Sequence, residues 1–383
     1  MKIERVEIIP LEVPYHRPTS ISVGTISTAK NILVKVYTDD GIVGLGEVSP
    51  FIPPYTGETQ ETAVGILHKW IAPNLIGEDP FNIARIHDKM DGIVPGYGCT
   101  KSGVDIALYD IMGKALGVPI HKLLGGIYRE KIPLWYAVSW DQGIQAMAEE
   151  AARWVEERFK GIMVKIGRER DIKKDIESIK LVRKYVGDNI PIIADPNQAY
   201  TSYDARMLAK GMSEYAQALE GPVKGWDLNG MAAVKKLGVV KLIADESLFT
   251  PMDAVELVKR DAADMLLIKL LKLGGFYKSK KIVAIAEASG IDCCCASMTN
   301  LGIGHAANLH FAASTKLNDQ FGHGFENLFQ IFGSVKASEE RNISEVPQFK
   351  DGYYEVPKGP GLGVALIEEN VKRYATERLI CQS

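Results

Sequence analysis

The chain has little that would mark a secreted, membrane or nucleic-acid protein. Its 383 residues hold five cysteines, of which Cys293, Cys294 and Cys295 are consecutive while Cys99 and Cys381 stand apart. An odd, unpaired set of this kind is no disulfide framework and lacks zinc-site spacing, so a reducing cytoplasm is expected. No apolar run approaches the length of a bilayer span, and Met1-Lys2-Ile3-Glu4-Arg5-Val6 alternates like a strand rather than forming a signal core. Neither sign of charge dominates: the formal net charge is −3, which offers no surface for nucleic acid or other polyanions. Gly44-Leu45-Gly46 and Gly359-Pro360-Gly361 do not open a βα unit with dinucleotide-binding spacing, so no nucleotide cofactor is expected. The expected partners are a small molecule and further copies of the chain.

What the chain does contain is a rhythm of acids. Asp195 in Ile-Ala-Asp-Pro-Asn, Glu220 in Ala-Leu-Glu-Gly-Pro and Asp245 in Ile-Ala-Asp-Glu-Ser follow one another at intervals of 25 residues, about one β-plus-α repeat. Each closes a short, largely apolar run, where a parallel strand would end, and in a (β/α) barrel those ends form the active-site mouth. Three carboxylates converging there repel one another unless a hard divalent cation joins them. Oxygen-only ligation suits Mg²⁺, with Mn²⁺ as a substitute. Helix capping after a strand accounts for an Asp but poorly for Glu220.

Lysines flank the triad at the same rhythm: Lys165 in Ile-Met-Val-Lys-Ile-Gly, 30 residues before Asp195, and Lys269 in Leu-Leu-Ile-Lys-Leu, 24 after Asp245. Burial beside a cation should lower their pKa values and make them proton acceptors. On opposite sides of one metal, they can serve opposite faces of a bound carboxylate.

At this point the residues resemble a family, the mandelate racemase and muconate lactonizing branch of the enolase superfamily. Beyond the acids and lysines, the resemblance is carried by Thr38-Asp39-Asp40-Gly41 through Gly46-Glu47, Asp105-Ile106-Ala107-Leu108-Tyr109-Asp110 through Gly113-Lys114, Leu123-Leu124-Gly125-Gly126, Lys272-Leu273-Gly274-Gly275 and Gly359-Pro360-Gly361-Leu362-Gly363. It implies a modified TIM-type barrel, (β/α)7β, beneath an α+β capping domain. The expected division is residues 1–125 for the first part of the cap, 126–335 for the barrel and 336–383 for a tail completing the cap. The resemblance further implies a homo-oligomer, and Mg²⁺ held by Asp195, Glu220 and Asp245. With Lys165 and Lys269 as the acid/base pair, the α-proton of a substrate carboxylate would leave and return through an enediolate. An amino acid or amino acid derivative is the expected substrate. A lyase or cycloisomerase using the same chemistry with one essential lysine is the alternative, and an inactive metal-binding scaffold the least favoured.

Asn197, two residues after Asp195, is placed to meet a substrate carboxylate. Asn300, in Ser297-Met298-Thr299-Asn300, is a candidate substrate contact that hydrogen-bonds without charge, where many relatives carry glutamate. Two mobile cap loops, about 15–27 and 51–58, are expected to set specificity, with Tyr55 a candidate contact. Trp140 could offer a cation–π face to an alkylated ammonium. His323 is expected nearer the mouth than His305 or His310, which read as helix packing. Two departures from the family pattern stand out. Met163 occupies the first position of a common Lys-x-Lys pair ending at Lys165, and Gly324-Phe325-Glu326-Asn327-Leu328 replaces an Asp-x-Asp motif typical of dipeptide epimerases, which ranks dipeptides below other substrates.

In the first segment, Asn31 to Tyr37 alternates like a strand before the Asp-Asp-Gly turn. A helix is expected from Ser102, with a capping-box-like start, to Leu116, stopped by Gly117. From about residue 126, strand-like runs alternate with amphipathic helices, for example Asp171 to Tyr185.

Overall fold

The computed structural model describes residues 1–382. The first unit is an antiparallel sheet in which β1 (Ile3–Ile21) turns through Ser22 and Val23 into β2 (Gly24–Thr38), and β3 (Val43–Val48) pairs along the other edge of β2. The segment expected to be a loop at 15–27 is instead the far end of this long hairpin. Its pairing is interrupted between Pro14 and Thr19, where the register shifts against β2. Pro14 and Pro18 have no N–H for the ladder, which accounts for a bulge there. Residues Leu379–Gln382 return to pair with β1.

Helix α1 (Gly98–Leu116) packs on this sheet. It begins four residues earlier than the sequence suggested, because its N-terminal N–H groups are satisfied from outside: Glu58 accepts from the backbone of Cys99 and Thr100 at 2.9 Å each. Ser102 turns back onto Cys99 O, and Asp105 reaches across to cap another helix at Phe276 N. The expected stop holds, with Gly117 in the left-handed conformation. A Cβ built on Gly46 would lie 1.8 Å from Gly103 O, so β3 and α1 meet backbone to backbone.

The second unit alternates β4 (Trp135–Val138), α2 (Ile144–Glu156), β5 (Gly161–Lys165), α3 (Ile172–Val186), β6 (Ile192–Asp195), α4 (Ser202–Met212), β7 (Ala218–Glu220), α5 (Leu228–Lys235), β8 (Lys241–Ala244), α6 (Pro251–Lys259), β9 (Met265–Ile268), α7 (Phe276–Ala288), β10 (Asp292–Cys295) and α8 (Gly302–Ala313). Its seven strands pair in parallel in chain order. Bridges from His323 to Leu134 and from Gly324 to Ala296 close the circle with an eighth segment. The fold is a (β/α)7β barrel under a capping unit.

Strand residues alternate between faces, so one parity fills the barrel. Trp135, Ala137, Met163, Ile193, Ala218, Ile243, Met265, Leu267, Cys294 and Ala296 form one buried cluster, joined by Phe321. Lys165, Asp195, Glu220, Asp245 and Lys269 each follow a member of that cluster by two residues, which stacks them as the next layer toward the mouth.

Candidate active site

The strand order decides the site. Lys165 ends β5, Asp195 ends β6, Glu220 ends β7, Asp245 follows β8 and Lys269 follows β9, so the three acids stand on consecutive strands between the two lysines. All three acids are buried. Lys165 donates to Asp195 Oδ2, while Lys269 donates to Asp245 Oδ2 at 2.6 Å and to the Tyr55 hydroxyl at 2.6 Å. The Tyr55 hydroxyl itself donates to Asp245 Oδ2.

Lys272, a residue that sequence reasoning left in a motif without a role, is fully buried and donates to Asp245 O at 2.7 Å and Oδ1 at 2.6 Å. Its position three residues after Lys269 was the available signal. Glu246 adjoins Asp245, and in a strand the two side chains would point apart, yet the strand ends at Ala244. The Glu246 side chain turns in to accept from Asn197 Nδ2 at 3.1 Å.

The electrostatics follow from burial and neighbours. Burial, with Asp195 and Asp245 adding repulsion, pushes the Glu220 carboxyl well above its usual range. Asp245 is held low despite its burial by the ammonium groups of Lys269 and Lys272. Glu246 rises to about 8 through burial and the charges of Asp245 and Asp195. In the absence of a cation, burial pulls both lysines down, but for Lys165 the charges of Asp195 and Glu220, and for Lys269 those of Asp245 and Glu220, outweigh it and raise both.

Among the described residues no three acidic, histidine or cysteine side chains stand grouped as a finished ion cage. Asp195 and Asp245 spend oxygens on lysines. The donor chemistry nevertheless fits a hard divalent cation: three carboxylates from adjacent strands, with Glu220 Oε2 buried and without a hydrogen-bond partner.

Above the lysines lies a cavity of about 70 Å³, enclosed by the barrel end, the β1–β2 hairpin and the segment at 51–55. Lys165, Lys269, Asn197 and Tyr55 line it. Asn197 adopts a positive φ of 41° and leaves its Oδ1 unpaired. Two expected contacts lie elsewhere. Trp140 stands beyond the end of β4 and is not part of the lining, and Asn300 is buried with its Oδ1 turned 3.4 Å from Met298 N. The aromatic walls come instead from Tyr15, Phe51 and Tyr55. His323 is likewise no cavity residue: it is held by Asp319 and by Cys295 N.

Glu326, another lining residue not singled out beforehand, is 7% exposed and has no partner for Oε2. Burial lifts its carboxyl to about 7, against the pull of Lys165 and Lys269. Met163, at the first position of the common lysine pair, points into the barrel two residues below Lys165, so its thioether extends the apolar plug where a second ammonium would stand.

Comparison with known families agrees with this arrangement. Residues 4–125 match the mandelate racemase / muconate lactonizing enzyme N-terminal domain, and residues 146–370 match the enolase C-terminal domain-like family. The chain belongs to the mandelate racemase and muconate lactonizing enzyme family of the enolase superfamily. It is 32% identical to the N-succinyl-L-Arg/Lys racemase of Bacillus cereus over 97% of each chain, and the solved structure of that racemase superposes with a TM-score of 0.93 at 30% identity, covering both chains fully. The hydrophobic dipeptide epimerase of Enterococcus faecalis is 36% identical over 82% of this chain and 88% of its own. Its structure with Mg and the dipeptide L-Leu-L-Tyr gives a TM-score of 0.87 at 31% identity, over 95% of this chain and 100% of that one. Muconate cycloisomerase 1 of Rhodococcus opacus is 33% identical over 98% of both. These family members are isomerases, and both racemising and ring-forming enzymes are among them.

Proposed function

We propose that the protein is a racemase or epimerase acting at the carbon next to a carboxylate of an amino acid derivative. The observation that carries this is the bracketing of three strand-end acids by two strand-end lysines that both open into one cavity. An enzyme that only removes a proton needs one such base, whereas an inverter needs a donor on the opposite face. Lys165 takes or returns the proton on one side and Lys269 on the other. Asp195, Glu220 and Asp245 would hold Mg²⁺, which supplies positive charge where negative charge grows as the α-proton leaves. Asn197 offers an amide to the carboxylate end, and Tyr55 shields the lysines from water. The names of the racemase and epimerase relatives support an amino acid derivative as substrate. Residues 126–335 form the catalytic barrel, with residues 1–125 and 336–383 as its cap. The enzyme works as a cytoplasmic homo-oligomer, and no helix among the described residues is long and apolar enough to cross a membrane.

The test is proton NMR of N-acylated, N-methylated and free amino acids, dipeptides and hydroxy acids in D₂O with Mg²⁺. Loss of the α-proton signal with intact connectivity is expected. Lys165→Ala should block exchange starting from one enantiomer and Lys269→Ala from the other. Equal, mild effects of the two changes sink the two-base reading. New vinyl or ring signals would move the assignment to the elimination or cycloisomerisation that muconate cycloisomerase relatives represent.

A further inference from the structure

The two lysines are not held alike. Lys269 donates to both Asp245 and Tyr55. Among the described residues the Lys165 ammonium donates one hydrogen bond, and it goes to Asp195, a carboxylate that the cation of the proposed function also claims. Met163, two residues back on the same strand, faces the apolar plug and offers the ammonium nothing polar. The backbone must therefore keep Lys165 in place, and Lys165 is the last residue of β5. How the turn after it is fastened decides where the ammonium can reach.

That turn is tied to one oxygen. Gly167 N donates to Asp175 Oδ2 at 2.8 Å, from the first turn of α3, and the Tyr200 hydroxyl donates to the same atom. Tyr200 is buried and is itself bound to the loop after β7, its N–H donating to Pro222 O at 3.1 Å. A single carboxylate oxygen thus joins the turns that follow β5, β6 and β7. Its bonds are charge-assisted and stronger than bonds between neutral groups. The turn has no slack either: Gly167 has a φ of 85°, and a Cβ on it would lie 2.6 Å from Ala199 Cβ and 3.0 Å from Pro196 O. Lys269 is fastened elsewhere, by Lys272 N on Lys269 O at 2.8 Å. Asp175 does not line the reaction cavity. We propose that Asp175, backed by Tyr200, is a positioning residue that sets the reach of Lys165 toward the α-carbon and leaves Lys269 untouched. The proposal rests on the reading of the two lysines as opposed acid and base.

Proton loss read one enantiomer at a time tests this. Both enantiomers of proline, N-methylproline, N-acetylalanine, glycylalanine and lactate are incubated in D₂O with Mg²⁺, and initial rates of α-proton loss are followed by NMR. Lys165→Ala identifies the enantiomer whose proton Lys165 takes. For that enantiomer Asp175→Ala should slow exchange about 30-fold and Tyr200→Phe about fivefold, the scale on which misplacing a reacting group acts, while the mirror form keeps its rate within about twofold. Asp175→Asn keeps an acceptor oxygen and should stay within about threefold of wild type. A merely structural role slows both enantiomers alike. Melting curves identify an Asp175→Ala protein that has failed to fold, and Tyr200→Phe then carries the test. Equal slowing of both enantiomers, unchanged rates in the folded variants, or Asp175→Asn as slow as Asp175→Ala overturn the proposal and leave the two-base reading standing. A wild type that exchanges a single enantiomer sinks the two-base reading; the clamp survives if Lys165→Ala stops that exchange and Asp175→Ala slows it, and falls otherwise. Silence toward every compound sinks the proposed function, and hydrogen exchange of the 166–170 amides, read by mass spectrometry, then decides the clamp. Faster exchange there in Tyr200→Phe retains it, and an unchanged rate overturns it.

Discussion

Lys272 grips Asp245 twice, through the backbone carbonyl at 2.7 Å and the carboxylate at 2.6 Å, although neither side chain reaches solvent. Lys269 holds the other carboxylate oxygen. The acid after β8 is thereby fixed in backbone and side chain together, and the loop that turns from β8 toward α6 starts from a set position. An ammonium buried this deeply costs much desolvation, which is offset only while both contacts last. Lys272→Met keeps the stem and removes the charge. It should lower unfolding free energy by about 3 kcal/mol, the lower end of what breaking a buried pair costs. Urea denaturation at pH 7.5 measures it; a loss below about 1 kcal/mol would show that Lys269 alone suffices for Asp245.

Glu220 is the acid of the triad with no lysine on it. Its burial beside Asp195 and Asp245 makes it a net cost without a cation, and as a Mg²⁺ ligand it would have no lysine contact to give up. Adding Mg²⁺ should therefore raise the melting temperature, in proportion to the logarithm of its concentration once above the dissociation constant. Glu220→Gln should raise the stability of the metal-free protein and abolish the Mg²⁺ shift. Scanning calorimetry with EDTA and then with excess Mg²⁺ reads both, and a Mg²⁺ shift that persists in the variant would remove Glu220 from the ligand set.

The parts of this site that were legible in the sequence are those that strand parity controls. Asp195, Glu220, Asp245, Lys165 and Lys269 each end an apolar run and recur at the length of one βα repeat, so both their height in the barrel and their order around it could be read off. Lys272 and Glu246 were not legible in the same way, because they lie past the strand ends, where side-chain direction is set by the turn rather than by alternation. Asn300 and Trp140 lie outside the cavity lining, since a place near a strand end says nothing about which way a loop side chain turns. The start of α1 was misplaced because Glu58, far away in sequence, supplies the cap that Ser102 was expected to provide. The bulged hairpin also escaped, since the segment 15–27 was expected to be a loop from the family resemblance while a long-range pairing with β2 makes its ends strand.

Gly46 tests the seam between sheet and helix in the cap. A Cβ there would meet Gly103 O at 1.8 Å and Gly103 C at 2.8 Å, both backbone atoms that cannot swing aside. Gly46→Ala should destabilise by about 3 kcal/mol or more, as overpacking between two rigid elements does. Because Glu47 follows directly and holds the start of α8 through Leu301 N at 2.6 Å and Gly304 N at 2.8 Å, the same change should lower activity beyond its effect on stability. Activity at a temperature well below the variant's melting point checks that second part. Gly41→Ala, in the turn before β3, meets no atom within 4 Å and serves as the contrast, though its φ of 79° carries its own backbone strain of about 1 kcal/mol.

His305 gives the pH dependence. It lies in the first turn of α8, fully buried, with neither ring nitrogen hydrogen-bonded and its ring edge-on to Tyr354 at 4.4 Å. Burial lowers its pKa from 6.5 to about 3. A depressed folded-state value means that the unfolded chain binds the proton first, so the stability tied to this residue is present above pH 6.5 and is lost as pH falls toward 3. By pH 5 the loss should reach about 2 kcal/mol, and below pH 3 about 5 kcal/mol. His310, lowered to about 3 by burial as well, adds a parallel loss that is common to wild type and variant. His305→Leu removes only the first. At pH 7.5 the variant should lie within about 1 kcal/mol of wild type, because the lost ring contacts are offset by the removal of two unpaired buried nitrogens. Between pH 7.5 and pH 5 the difference should then move by about 2 kcal/mol in the variant's favour. Urea midpoints at the two pH values measure that movement directly, and a difference that stays constant would mean that His305 carries its proton at pH 5 in the folded state.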